Sequence, residues 1–131
     1  MTKNLWIVLL IILVLAGGYF FSHNSSPSHE SSTPAGIVPD GATVVTLTKE
    51  GFSPDELTVQ KDETIYFNTT TGSMFWPASN LHPSHQIYSE FDPMEPLQPG
   101  DTWSFTFTKV GKWEFHDHLA PYFTGVITVT E

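Results

Sequence analysis

The chain contains no cysteine and no arginine among its 131 residues. The first absence removes disulfides, thiolate metal ligands and thiol nucleophiles together. The second leaves five lysines against 14 acidic residues and a net charge of -9. A nucleic-acid partner is therefore not expected, because such binding rests on clustered cations. Helical periodicity over ten residues is missing beyond Thr43, and so are internal repeats. The acidic balance leaves a soluble surface, a cation or a basic partner as its uses.

Long hydrophobic runs are also scarce, with one exception. Leu5 to Phe21 (LWIVLLIILVLAGGYFF) is uncharged and follows Lys3. At about 17 residues it reaches the short end of the roughly 17–25 needed for a membrane span. A cleaved signal peptide is the rival, but the residues that follow carry no convincing A-x-A cleavage pattern and no cysteine for a lipid anchor. Residues 1–21 are expected to form an uncleaved signal anchor, a single transmembrane helix with Lys3 on the inner side. The rest of the chain would then lie on the extracytoplasmic side of the cell membrane. Residues 22–42 (SHNSSPSHESSTPAGIVPDGA) are rich in Ser, Pro and Gly and read as a flexible tether. His23 and His29 lie in it and read as ordinary polar residues.

From Thr43 to Glu131 the texture becomes short alternating runs with turn residues between them. Val44–Thr48, Glu56–Gln60, Thr64–Asn68, Thr102–Phe107, Lys112–Phe115 and Gly125–Thr130 are rich in β-branched and aromatic residues. Such runs at short spacing predict an all-β domain, an antiparallel Greek-key sandwich or barrel. Leu57, Val59, Ile65, Phe67, Phe105, Phe107, Phe115, Ile127 and Val129 are its expected core, with most tryptophans. Thr69 to Gly100 is the exception, a long stretch with five of the ten prolines and little pattern. A connection of that length within a small domain is uncommon, and when present is usually functional.

The folded part holds four histidines in two pairs, His82 and His85 (H-x-x-H) in the long connection, and His116 and His118 (H-x-H) near the end. Imidazole suits copper, zinc, nickel and iron. H-x-H on an extended strand puts both rings on one face. Asp117 between them would face away or serve as a partner to an imidazole. Met74 and Met94 flank the connection as further candidate ligands for Cu(I). Four partly exposed histidines holding no metal are the plain alternative.

The domain resembles the cupredoxins, the β-sandwich family of blue copper proteins. "GFSPDELTVQKDETIYFNTT" is similar to the family's opening strands. "LQPGDTWSFTFTKVGKWEFHDH" is similar to its Pro-Gly turn, alternating strand and aromatic-x-aromatic approach to the metal loop, and "TGVITV" to its closing strand. Together these cover about Val44 to Thr130. The family's copper loop, laid without gaps, puts Asp117 on its cysteine, Ala120 on its histidine and Phe123 on its methionine, so all three ligands are absent. The family's first histidine falls on His85 or on Phe75. W-P-A-S-N-x-H-P-x-H and H-D-H-L resemble a variant group of cupredoxin-like domains that carry these motifs in place of the ordinary ligands. The resemblance implies a rebuilt centre of His82, His85, His116 and His118. Copper is its expected occupant and zinc a possible one, with a redox or copper-transfer protein as partner. A metal-free β-sandwich serving protein contacts is the alternative function. A hydrolytic or redox enzyme using Glu114 or Asp117 is a third, disfavoured because so small a domain offers little pocket.

Overall fold

The computed structural model describes residues 37–131. The apolar run Leu5–Phe21, with Lys3, His23 and His29, lies outside the described residues. Among the described residues no helix is long and apolar enough to cross a membrane.

Eight strands follow one another: β1 (Thr43–Thr48), β2 (Gly51–Ser53), β3 (Glu56–Gln60), β4 (Glu63–Thr69), β5 (Pro77–Ser79), β6 (Trp103–Phe107), β7 (Gly111–Asp117) and β8 (Ala120–Thr130). One sheet has the order β2-β1-β4-β6 and the other β3-β8-β7-β5. The expectation of an antiparallel sandwich is corrected here, because both sheets are mixed. β1 pairs parallel with β4, and β3 parallel with β8. The chain leaves the first sheet after β2, places β3 in the second, and returns as β4 in the direction of β1. That path supplies the crossover a parallel pair requires. Alternation within a strand says which face is buried but nothing about the direction of its neighbour.

The alternation itself is realised. Val45 and Leu47 of β1, Ile65 and Phe67 of β4, Phe115 of β7, and Ile127 and Val129 of β8 all point into one core. Val59 and Phe107 join them, while Leu57 and Phe105 are only partly buried against it. The long connection adds Phe75, Tyr88, Phe91 and Leu97, each at most 2% exposed. It is thus not structureless. It contains β5 and a 3-10 turn at Gln86–Tyr88. Phe75 and Leu97 exchange backbone hydrogen bonds at 3.1 and 2.9 Å, and Ser79 N donates to Phe91 O at 2.9 Å. Four large apolar side chains at irregular spacing hold the segment down without a period to announce it.

One glycine is fixed by close packing. A Cβ on Gly125 would lie 2.4 Å from Phe115 Cζ and 2.9 Å from the Asp55 carbonyl oxygen. The carbonyl belongs to backbone that also accepts Val126 N at 2.7 Å, so it cannot easily retreat. Gly125→Ala is expected to destabilise the domain by about 1–3 kcal/mol, the range for forcing an extra carbon into a packed core. Denaturant unfolding checks this, and a midpoint unchanged from the parent would refute the packing described.

Candidate metal centre

The site is built where β5 and β7 meet the long connection. β5 pairs antiparallel with β7, with Ala78 opposite His116 and Pro77 opposite Asp117. Two further backbone bonds extend this ladder at both ends, Asn80 N to Glu114 O at 3.0 Å and His118 N to Trp76 O at 2.8 Å. The β7–β8 register breaks between His116 and Asp117. β7 ends at Asp117, so His118 stands in the turn after the strand. The simple strand rule for H-x-H therefore does not apply, and both rings still reach one cluster.

From the other side, Ser79 anchors the loop that carries His82 and His85. Its Oγ donates to His85 O at 2.8 Å and accepts from Tyr88 N at 3.1 Å. His85 N donates to Leu81 O at 2.7 Å. These bonds hold His85 in the left-handed region, φ 50° and ψ 31°, which non-glycine residues adopt uncommonly, histidine more readily than most. The imidazole is thereby turned into the site.

All four histidines come together, each offering one ring nitrogen, and these nitrogens lie within 4.8 Å of one another. His82 Nδ1 is 3.2 Å from His116 Nε2, and His85 Nε2 is 2.9 Å from His118 Nδ1. Two facing lone pairs would repel at these distances, so each contact needs a proton or a cation between the nitrogens. A metal with nitrogen ligands at about 2.0–2.1 Å, tetrahedral or planar, would need every pair of nitrogens no more than about 4.2 Å apart. Small ring movements suffice to meet that requirement. Four neutral nitrogen donors, two of them buried, suit a late first-row divalent ion.

The outer ring nitrogens fix how two of the imidazoles present themselves. His85 Nδ1 donates to Asp92 Oδ2 at 2.5 Å, and His116 Nδ1 donates to Asn80 Oδ1 at 2.9 Å. Both rings are thus left with an Nε2 lone pair facing inward, the usual arrangement of a metal-binding histidine. Asp92 is itself held by Trp76 Nε1 at 2.8 Å and Met94 N at 2.7 Å. Burial would raise its carboxyl, but the bonds from His85, Trp76 and Met94 outweigh this and hold it below the ordinary range. Trp76 also packs against His118, ring centroids 4.4 Å apart and planes tilted by 34°. It serves the site rather than the core, unlike Trp103.

The four histidines named from the sequence are the ones brought together; Asp92 was not singled out, and Asn80 and Trp76 stood only as letters of the W-P-A-S-N motif. Of the alternatives His85 and Phe75, His85 enters the cluster while Phe75 is fully buried in the core. Asp117 is no partner to an imidazole. It is buried and its Oδ1 accepts from Trp76 N at 2.8 Å and Leu119 N at 3.3 Å, and burial pushes its carboxyl up. Glu114 is exposed and accepts from Asn80 Nδ2 at 3.2 Å. Met74 and Met94 are largely exposed, Met74 Sδ accepting from Gln98 Nε2.

The solved structures that this chain is similar to settle the architecture. A proline-to-glycine variant of amicyanin in its reduced Cu(I) form matches with a TM-score of 0.66 and 23% identity, over 79% of this chain and 95% of that one. A purple cupredoxin from Nitrosopumilus maritimus matches with a TM-score of 0.58 and 17% identity, over 67% and 99%. The fold is that of the cupredoxins. No protein-family model and no curated protein sequence matches the chain. Within this cupredoxin-like fold the chain has no cysteine and clusters four histidines instead.

Charge on His116 and His118 is disfavoured. Burial, then the neighbouring His85, His82 and His118, lower His116 to about 4 from its ordinary 6.5, and burial with His85 and His82 lowers His118. Between pH 6.5 and 4 the unfolded chain therefore binds more protons than the folded one, and stability falls as pH falls through that window. At about 1.4 kcal/mol per unit, His116 makes this loss on the order of 2–3 kcal/mol. Asp117, raised by burial, opposes part of it just above its ordinary 3.8. Thermal unfolding of the metal-free chain at pH 7 and pH 4.5 should show the drop, and equal stability at both would contradict a buried, neutral His116.

Proposed function

We propose that this chain is a copper-binding cupredoxin-like protein whose metal is held by His82, His85, His116 and His118. The observation that carries the reading is the convergence of four imidazole nitrogens within 4.8 Å, two of them oriented by Asp92 and Asn80. Imidazole donors favour Cu(II) over the other first-row divalent ions. The fold points the same way, since the amicyanin and the purple cupredoxin it resembles are cupredoxins and the former was solved with Cu(I). The role proposed for the site is copper handling or electron transfer, with a redox or copper-transfer protein as partner. The apolar run Leu5–Phe21 after Lys3 supports tethering to the cell membrane, with the domain on the extracytoplasmic side.

Spectroscopy of the copper-loaded full chain tests this reading. A blue centre owes its colour to cysteine sulfur, so the Cu(II) complex should be pale, and its electron paramagnetic resonance spectrum should show coupling to several imidazole nitrogens. A spectrum of free or carboxylate-bound copper, unchanged when all four histidines are replaced, would favour a metal-free module for protein contacts.

A further inference from the structure

The four histidines are not equivalent. His85 and His116 are 5% and 1% exposed. Each has its outer nitrogen bonded to a group outside the cluster, and those groups are themselves anchored. Asp92 is held by Trp76 and Met94, and Asn80 by Glu114. His118 is half-buried, packs its ring against Trp76 and is tied through its backbone to Trp76 O. His82 is exposed. Among the described residues its ring contacts are with other members of the cluster: Nδ1 against His116 Nε2, and its ring against those of His116 and His118 at 5.2 and 4.6 Å. Leu81, immediately before it, is 63% exposed.

We propose that the centre is a metal-transfer site in which His85 and His116 form a fixed floor and His82 is the release ligand. This inference rests on the copper reading above and assigns that site its task. An imidazole whose only partners are its fellow ligands has nothing to hold its orientation once the metal–nitrogen bond opens. One backed by a buried carboxylate or amide has. His82 therefore leaves first, on the side facing solvent. An incoming donor of the acceptor, an imidazole or a thioether, forms its bond to copper in the position His82 gives up, and His118 follows. One metal–nitrogen bond breaks for each new bond formed, the copper keeps its oxidation state, and no electron is required. An electron-transfer centre would be served poorly by such a ligand, because it works best when the same groups stay bound in both oxidation states.

The test uses the full chain loaded with one equivalent of Cu(II) and mixed with increasing nitrilotriacetate. Recovery of tryptophan fluorescence reports copper loss, since Trp76 lies against His118. In the parent the removal rate should rise with chelator and then level off, because opening of His82 limits it. His82→Ala, at an exposed position that leaves folding intact, should lose copper at least tenfold faster at low chelator and show no levelling. Asp92→Asn should bind 10–100-fold more weakly, the usual cost of removing an outer partner of a metal ligand, yet keep the levelling because His82 is intact. A parent rate proportional to chelator throughout, or levelling that survives in His82→Ala, would overturn the release role. A parent that shows no saturable quenching by Cu(II) would instead overturn the copper reading on which it rests.

Discussion

His116→Ala should weaken Cu(II) binding by at least a hundredfold, while His23→Ala and His29→Ala leave it unchanged. His116 is 1% exposed, stands on β7 opposite Ala78, and directs Nε2 into the cluster because its Nδ1 is committed to Asn80. Its removal deletes one donor and, with it, the contact that His82 Nδ1 makes at 3.2 Å. His23 and His29 lie outside the described residues, in a segment that reads as a polar tether. Competition titrations of the three variants beside the parent measure the effect. Because burial and the other three imidazoles already hold His116 near 4, protons should compete for this ligand only well below pH 6.5.

Phe91→Ala should destabilise the domain by about 3–5 kcal/mol, the usual cost of emptying a fully buried phenylalanine site. Phe91 is 0% exposed. Its ring lies 5.1–5.7 Å from those of Phe67, Trp103, Phe105, Phe107 and Phe115, with 9° between its plane and that of Trp103. It therefore joins the aromatic residues of both sheets from within a loop. It also immediately precedes Asp92, whose carboxylate orients His85. The same substitution should weaken metal binding although Phe91 touches no histidine. Chemical denaturation gives the first effect and copper titration of the folded variant the second. A loss below about 1 kcal/mol would mean that the long connection is not part of the core.

This dependence of the site on the long connection marks the limit of what could be read from residues alone. Strands β1, β3, β4, β6, most of β7 and the last half of β8 were legible because their apolar residues alternate and turn residues bound them. Lys61-Asp62, between β3 and β4, is one such turn, with Asp62 at φ 68°. The direction of pairing was not legible, since period-two alternation is the same for parallel and antiparallel neighbours. The two short strands escaped for another reason. β2 and β5 are three residues each, too short to display a period. In the candidate site, two spaced pairs of histidines announced the cluster. The roles of Asp92 and Asn80 were not legible, although Asn80 lies in the W-P-A-S-N motif, because each acts through a fold-dependent contact 7 or 36 residues away in sequence. An acid beside a core phenylalanine, within a proline-rich stretch already suspected of function, was the only clue to Asp92. The bulge at His116 and Asp117 likewise turned the H-x-H pair by a route that ideal strand geometry does not describe.

Stoichiometric titration of the full chain, purified without chelator or affinity histidines, tests the central claim most directly. Cu(II) should bind saturably at one equivalent per chain, and simultaneous replacement of His82, His85, His116 and His118 by alanine should abolish it with His23 and His29 still present. Equal binding by parent and quadruple variant, or no saturable binding by a folded parent, would contradict a copper centre built from these four histidines.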